Sequence, residues 1–258
     1  MNAMATDRAP PNPWFPSAIP TAGARLSLFC VAHAGAGASV FRDWCRPLAP
    51  AIDVFAVQLP GRESRFDEEP YTHMDIAADE IAAAMQPYLD RPFAVFGHSM
   101  GGAIAFELAA RLERTPVHLF VSSWLPPPPT RPRRFIERAT DAALLDSVSR
   151  YGGMPDELLR YPDFARAFVR VLRADMTLLD AYRPAAVPPG CPITVLGGAD
   201  DPIVRAVELE QWRAHERVAA VRVFPGGHFY LRDAQRAVLD TIGRQLLGAP
   251  ADLQRATL

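Results

Sequence analysis

Apolar residues in this chain fall into two kinds of run that take turns. The first kind is short and nearly continuous: Leu26 to Ala32, Val54 to Leu59, Phe93 to Phe96, Val117 to Val121, Ile193 to Leu196 and Ala220 to Phe224. Runs of that length, rich in branched and aromatic side chains, predict strands buried on both faces. The second kind is longer and periodic. From His73 to Leu89, the residues Met74, Ile76, Ala77, Ile81, Ala84, Met85 and Tyr88 recur at helical spacing. Helices are likewise predicted from Ser39, as N-cap, to about Leu48, from Gly102 to about Arg114, from Val204 to His215 and from Leu231 to Leu247. Strand and helix in alternation predict an α/β chain with a mostly parallel sheet, helices on both faces, and functional groups at the carboxyl ends of the strands.

One stretch breaks the alternation. Between Ser123 and Pro192 no strand is predicted, whereas helices are: Asp141 to Arg150, a short piece near Asp156 to Arg160, and Asp163 to Tyr182. In the last of these Phe164, Phe168, Val171, Leu172, Met176 and Leu179 form an apolar face. An insertion that follows a strand's carboxyl end lies over that edge of the sheet, so residues 126–190 are expected to form a helical lid. Pro126 to Pro129 stiffen its beginning as a polyproline II hinge. Residues 1–20 read as a loosely ordered leader, held on the body by Trp14 and Phe15, and the whole of 1–258 reads as a single domain.

Composition narrows the class of partner. With 27 basic and 29 acidic residues the net charge is −2, which leaves no nucleic-acid footprint. Cys30, Cys45 and Cys191 are odd in number and lack metal-ligand spacing; they read as reduced thiols, which points to the cytoplasm. No run reaches the roughly eighteen uninterrupted apolar residues of a membrane span, and the leader has no apolar signal core. The chain is therefore expected to be soluble and not exported, without membrane or nucleic-acid partners.

The chemistry centres on Gly97-His98-Ser99-Met100-Gly101, set between the strand Phe93–Phe96 and the helix that opens at Gly102. G-x-S-x-G in that setting resembles the nucleophile elbow of the α/β-hydrolase fold. The backbone turns so tightly that no Cβ fits beside the serine, whose hydroxyl is lifted above the sheet edge near a helix N-terminus. In this fold the nucleophile is followed along the chain by an acid and then a histidine. Of the six histidines only His215 and His228 lie beyond the candidate acids. His215 falls inside the amphipathic pattern Glu208 to Glu216, where a solvent-exposed residue is the default, while His228 follows a predicted strand and the flexible Pro225-Gly226-Gly227. His228 is the expected base. His98, His73 and His118 read as structural.

The acid is expected in Gly197-Gly198-Ala199-Asp200-Asp201-Pro202, where either aspartate fits by register. Pro202 favours Asp201, because the residue before a proline is held extended. An oxyanion hole takes one N–H from the residue after the nucleophile, Met100, and one from the loop after an early strand, where Ala34 in His33-Ala34-Gly35 is the natural donor. That loop is not a phosphate loop, since no Gly-Lys-Ser/Thr follows.

Taken together, Ala32-His33-Ala34-Gly35-Ala36-Gly37 with Phe41 and Trp44, Gln58-Leu59-Pro60-Gly61-Arg62, the elbow, Gly198-Ala199-Asp200-Asp201-Pro202 and Pro225-Gly226-Gly227-His228-Phe229 resemble the type II thioesterases that accompany modular polyketide synthases and non-ribosomal peptide synthetases. The likeness spans about residues 14–247; one departure is Ala36, which separates two glycines that are often consecutive in relatives. The resemblance implies an acid at Asp201, oxyanion donors at Ala34 and Met100, and no metal or cofactor. It implies hydrolysis of aberrant acyl groups from the phosphopantetheine arms of acyl or peptidyl carrier proteins, by a chain expected to act as a monomer. Met176 and Leu179 are then expected to line the acyl chamber, and Arg133 and Arg134, within the cluster Arg131 to Arg138, to dock the acidic carrier. Three alternatives share parts of the pattern. A carboxylesterase or lipase would use the same triad; an acyltransferase of the malonyl type shares the G-H-S elbow without the late Asp and His turns. A non-catalytic hydrolase-like binding protein would ordinarily lack a triad member.

Overall fold

The computed structural model describes residues 12–127, 139–153, 157, 160–184 and 189–248. Its strands are β1 (Leu26–Val31), β2 (Ile52–Ala56), β3 (Phe93–His98), β4 (His118–Ser122), β5 (Ile193–Gly198) and β6 (Val218–Phe224). They form one sheet in the order β2-β1-β3-β4-β5-β6, with every pairing parallel. Its helices are α1 (Cys45–Leu48), α2 (Met74–Met85), α3 (Met100–Arg111), α4 (Asp141–Arg150), α5 (Pro162–Ala181), α6 (Ala206–Leu209) and α7 (Gln235–Leu247).

The continuous apolar runs are explained by burial from both sides. Along β1, Phe29 and Val31 enter the layer shared with α2 and α3, whereas Leu28 and Cys30 enter the layer shared with Phe41, Trp44 and the α7 residues Val238, Leu239 and Ile242. Alternate side chains on both faces are thus removed from water, the main favourable contribution to the fold. The strand order reverses at β1, and β1 pairs with β3 so that Val31 lies opposite Gly97. The segments that follow these two strands therefore emerge side by side at the carboxyl edge, where a switch of strand order opens a crevice. Ala34 lies in one of them and Ser99 in the other.

Several boundaries differ from the sequence expectation. Strand β2 ends at Ala56, not Leu59, because Gln58 N–H leaves the sheet and donates to Trp14 O at 2.8 Å. The leader thus supplies the partner that a neighbouring strand would have supplied. Phe15 is buried edge-on against Phe29, Phe55 and Tyr88, and Trp14 lies under the Arg65 guanidinium at 4.1 Å. The helix expected from Ser39 is a 3-10 stretch, Ala38–Trp44, before the single turn of α1, and its N-cap is Gly37. Ser39 is not the cap; its hydroxyl donates to Glu63 Oε1 at 2.6 Å. The helix expected over Val204–His215 is likewise reduced to α6 and a 3-10 turn, Glu210–Ala214, and α7 starts at Gln235 rather than Leu231.

Within the insertion, α4 is capped by Thr140, whose side chain accepts Ala143 N–H at 3.2 Å, and α5 begins with Pro162, which lacks only an N–H the helix start leaves unbonded anyway. Leu144 of α4 packs with Phe168, Val169 and Leu172 of α5, while Leu178 and Leu179 join the layer of α2 and α3. The short helix expected near 156–160 and the cluster Arg131, Arg133, Arg134 and Arg138 lie outside the described residues, apart from Glu157 and Arg160. All three cysteines are free thiols, with Cys30 and Cys191 buried. Among the described residues no helix is long and apolar enough to cross a membrane.

Candidate active site

At the end of β3 the chain turns through Ser99, whose φ of 54° and ψ of −117° put a non-glycine residue in a sparsely populated region. Such a conformation costs about 1–3 kcal/mol and persists only where the surroundings impose it. Here Ser99 N–H donates to Ser122 O and Ser99 O accepts from Gly102 N–H, both at 2.8 Å. A Cβ on Gly97 would lie 1.9 Å from Gly101 O, and one on Gly101 would lie 2.1 Å from Val31 O. The two glycines therefore allow strand, turn and helix to close on one another. Ser99 is half-buried, and Met100, first residue of α3, is buried behind it.

The loops after β5 and β6 meet the elbow at the same edge. His228 Nδ1 lies 2.8 Å from Asp201 Oδ2, and both side chains are buried. The other oxygen, Asp201 Oδ1, accepts the N–H groups of Ile203 and Val204 at 2.8 and 2.9 Å. Burial raises the Asp201 pKa. The hydrogen bond and charge of His228, with the two backbone donors, outweigh that effect and hold the carboxyl below its ordinary value. Asp200, its exposed neighbour, ties the loops together through its backbone, donating to Gly226 O at 2.9 Å. The ring of His98 lies 5.2 Å from that of His228, centroid to centroid.

Of the remaining histidines, His73 is exposed, with Nδ1 3.0 Å from Thr72 Oγ1, and the others are packed to different degrees. His98 Nδ1 pairs with Ser122 Oγ at 2.8 Å, and that hydroxyl with Tyr230 OH at 2.7 Å, forming a buried chain beneath the site. His118 Nε2 pairs with Thr194 Oγ1 at 2.8 Å. The expectation that His215 is solvent-exposed is corrected: it is half-buried, with its ring against Phe106 and Trp212, because the helix that would have displayed it ends in a 3-10 turn. His33, at the start of the early loop, is buried against Phe229, and its pKa falls to about 3, through burial first and then the charges of His228, Arg232 and Arg62.

The early loop has an attachment that sequence reasoning missed. Asp175, buried on α5, accepts Gly35 N–H at 2.7 Å through Oδ2 and binds the Arg62 guanidinium in a fork, Nη1 to Oδ2 at 2.6 Å and Nη2 to Oδ1 at 2.7 Å. A signal existed: Asp175 interrupts the apolar series Phe168, Val171, Leu172, Leu178 and Leu179, a face where an unpaired carboxylate would be costly. Next to this loop lies a cavity of about 350 Å³, with His33, Arg62, Phe164, Ala167, Phe168 and Val171 in its wall and Val40 and Phe66 at its rim. Ser99, Asp201 and His228 are not in that wall, whereas His33 and Gly35, on either side of Ala34, are.

Met176 and Leu179, expected to line an acyl chamber, are not among the residues that line this cavity. Leu179 packs in the sheet core, and Met176 sits half-buried between that core and the α4–α5 cluster. The cavity is faced instead one to four turns earlier. Ala167→Trp is expected to fill part of it and shift preference toward shorter acyl chains, read from kcat/KM over a series of acyl thioesters. Leu179→Trp, which overpacks the core, is expected instead to lower stability by about 1–3 kcal/mol without reordering the series. Arg133 and Arg134 lie outside the described residues.

Comparison with known proteins gives a consistent picture. A family model described as Thioesterase domain matches residues 27–246. The chain is 36% identical over 241 residues to linear gramicidin dehydrogenase LgrE of Brevibacillus parabrevis, covering 90% of this chain and 92% of that one. Among solved structures it is similar to RedJ, a thioesterase from the prodiginine biosynthetic pathway in Streptomyces coelicolor, at 34% identity and a TM-score of 0.80, covering 87% of this chain and 92% of the other. It is also similar to BorB, a type II thioesterase from the borrelidin biosynthetic cluster, at 32% identity and a TM-score of 0.77, covering 87% and 94%. The dehydrogenase in the first of these names has no counterpart in the early loop here: in the dinucleotide pattern G-x-G-x-x-G, begun by Gly35 and Gly37, the third glycine is Val40.

Proposed function

The chain belongs to the thioesterase-domain family, and from that premise we propose that it hydrolyses acyl groups from the phosphopantetheine arms of acyl or peptidyl carrier proteins, clearing stalled units from a biosynthetic assembly line. The observation that carries this reading is the buried Asp201–His228 pair at 2.8 Å, on the same sheet edge as the strained Ser99 elbow. Of the proteins it is similar to, RedJ is a thioesterase from a biosynthetic pathway and BorB a type II thioesterase from a biosynthetic cluster, which supports the choice of thioester over oxygen ester.

The roles follow from the chemistry of each group. With Nδ1–H donating to Asp201, His228 Nε2 is free to take the Ser99 hydroxyl proton as Oγ attacks the thioester carbonyl. The carbonyl oxygen becomes an anion held by the N–H groups of Ala34 and Met100. Collapse of the tetrahedral species breaks the C–S bond, and the departing sulfur takes the proton back from His228. Water then repeats the sequence on the acyl-serine: His228 removes its proton, the oxygen attacks, and Ser99 leaves reprotonated with release of the free acid. Asp201 fixes the imidazole tautomer and stabilises the imidazolium without taking the proton.

The test is intact-protein mass spectrometry of an acyl-loaded carrier before and after incubation. Loss of the acyl mass, with the arm retained and with the matching oxygen ester cleaved far more slowly, is the expected result. A carrier that keeps its acyl group, or a preference for the oxygen ester, would overturn the reading. Docking through Arg133 and Arg134 is part of the proposal, since opposite charge chiefly accelerates encounter. Their joint change to Glu is expected to raise KM for the carrier several-fold, in a salt-dependent way, and to leave a free acyl-pantetheine unaffected.

A further inference from the structure

Among the described residues, Arg62 and Asp175 form a buried ion pair that ties the insertion to the early loop. The side chains are 5% and 2% exposed, so the pair gives up hydration that only close, complete hydrogen bonding recovers. Its bonds go beyond the two charges. Asp175 Oδ2 also accepts Gly35 N–H, and Arg62 Nη1 also donates to Ala36 O at 3.2 Å. Arg62 is itself fixed: Nε donates to Pro60 O at 3.2 Å, and the buried Gln58 donates from Nε2 to Arg62 O at 3.0 Å while its Oε1 accepts Ala38 N–H at 3.1 Å. Within the loop, Ala36 N–H donates to His33 O at 3.1 Å. The backbone on the carboxyl side of Ala34 is thus held at both of the next two residues by one charged pair, whose acid is carried by α5.

We propose that Asp175 and Arg62 are positioning residues for hydrolysis: they set the direction of the Ala34 N–H toward the oxyanion and so make that donor dependent on the seating of α5. The proposal rests on the reading of Ala34 as an oxyanion donor. Oxyanion stabilisation needs donors fixed at the place where charge develops, and a loop with two glycines has no stiffness of its own to fix them. A pair that merely held the fold together would affect stability. A pair that aims a donor affects the transition state, and its loss leaves substrate binding almost unchanged.

The test compares the wild-type enzyme with Asp175→Asn and with the double variant Arg62→Met/Asp175→Leu. All rates are expressed per serine titrated with a fluorophosphonate, so that unfolded molecules do not count. For Asp175→Asn, kcat on an acyl-pantetheine thioester is expected to fall about 10- to 100-fold, less than the roughly 10²–10³ of deleting an oxyanion donor outright, with KM within about threefold. Affinity for an alkyl boronic acid, which forms a tetrahedral adduct on Ser99, is expected to fall by the same factor. The double variant refills the site with apolar volume and is expected to regain thermal stability but not kcat or boronate affinity, since Gly35 N–H still has no carboxylate. Wild-type kcat per titrated serine in Asp175→Asn, or recovery of kcat together with stability in the double variant, would overturn the proposal. Should Ser99→Ala still hydrolyse thioesters, the reading of the site itself fails, whatever the Asp175 variants do.

Discussion

Ser99→Ala is expected to remove hydrolysis almost entirely, lowering kcat by about three to six orders of magnitude while leaving the fold intact. Ser99, His228 and Asp201 act as a unit, and the nucleophile is the member that no neighbour replaces. Ser122 ends the adjacent strand and Ser123 follows it, but Ser122 Oγ is engaged between His98 Nδ1 and Tyr230 OH, and Ser123 is buried. The fold survives because the Ser99 side chain makes no capping bond to α3, and the residue is held by its backbone through Ser122 O and Gly102 N–H. Alanine meets the same strain at a φ of 54° and keeps both bonds. Residual turnover would come from the oxyanion donors acting on water. Intact-mass detection of an acyl-enzyme on the wild type, and its absence from the variant, checks the assignment independently of rate. A variant that keeps more than about a tenth of the wild-type kcat would exclude Ser99 as nucleophile.

The strands were legible because their chemistry is one-dimensional. A strand covered on both faces needs a nearly continuous apolar run, and Phe93 to Phe96 and Ile193 to Leu196, the latter interrupted only by Thr194, are of strand rather than helix length. The elbow was legible for a related reason: the contacts that would strike a Cβ on Gly97 or Gly101 come from residues close in sequence or from the adjoining strand. His228 and the Asp200/Asp201 pair followed from chain order and turn residues, although sequence alone left the choice of aspartate to a single proline.

What was not legible depends on partners distant in sequence. Asp175 is 113 residues from Arg62 and 140 from Gly35, and neither separation has a period or motif to announce it. The end of β2 could not be read because the group that draws Gln58 away from the sheet is Trp14 O, in a leader with no periodicity at all. Ser39 has the composition of an N-cap, yet a carboxylate from the Pro60-Gly61-Arg62 turn, Glu63, takes its hydroxyl and its N–H instead. The apolar face of α5 was visible, but which turns of it look onto a cavity is decided by where α4 and the sheet cover the rest. Phe164, Ala167, Phe168 and Val171 face that cavity, and nothing in the spacing of the apolar face separates them from Met176 and Leu179.

Asp201→Asn is expected to lower kcat by about a thousandfold or more, and Asp200→Asn by no more than about twofold. The difference arises from what each carboxylate touches. Asp201 uses one oxygen for the N–H groups of Ile203 and Val204 and the other for His228 Nδ1. An asparagine keeps the turn by offering its carbonyl oxygen to those two backbone donors. Its amide nitrogen then faces Nδ1 and donates to it, so the imidazole proton moves to Nε2. In that tautomer the nitrogen facing the nucleophile is already protonated and has no lone pair for the Ser99 proton, so the fold survives and the base does not. Asp200 contributes to the same turn only through its main chain, which the substitution leaves in place, and its side chain is exposed. Steady-state kinetics on one acyl-pantetheine thioester, with thermal midpoints of both variants as a control for folding, measures the ranking. The opposite order at equal stability would move the acid to Asp200 and require the loop after β5 to rearrange when substrate binds.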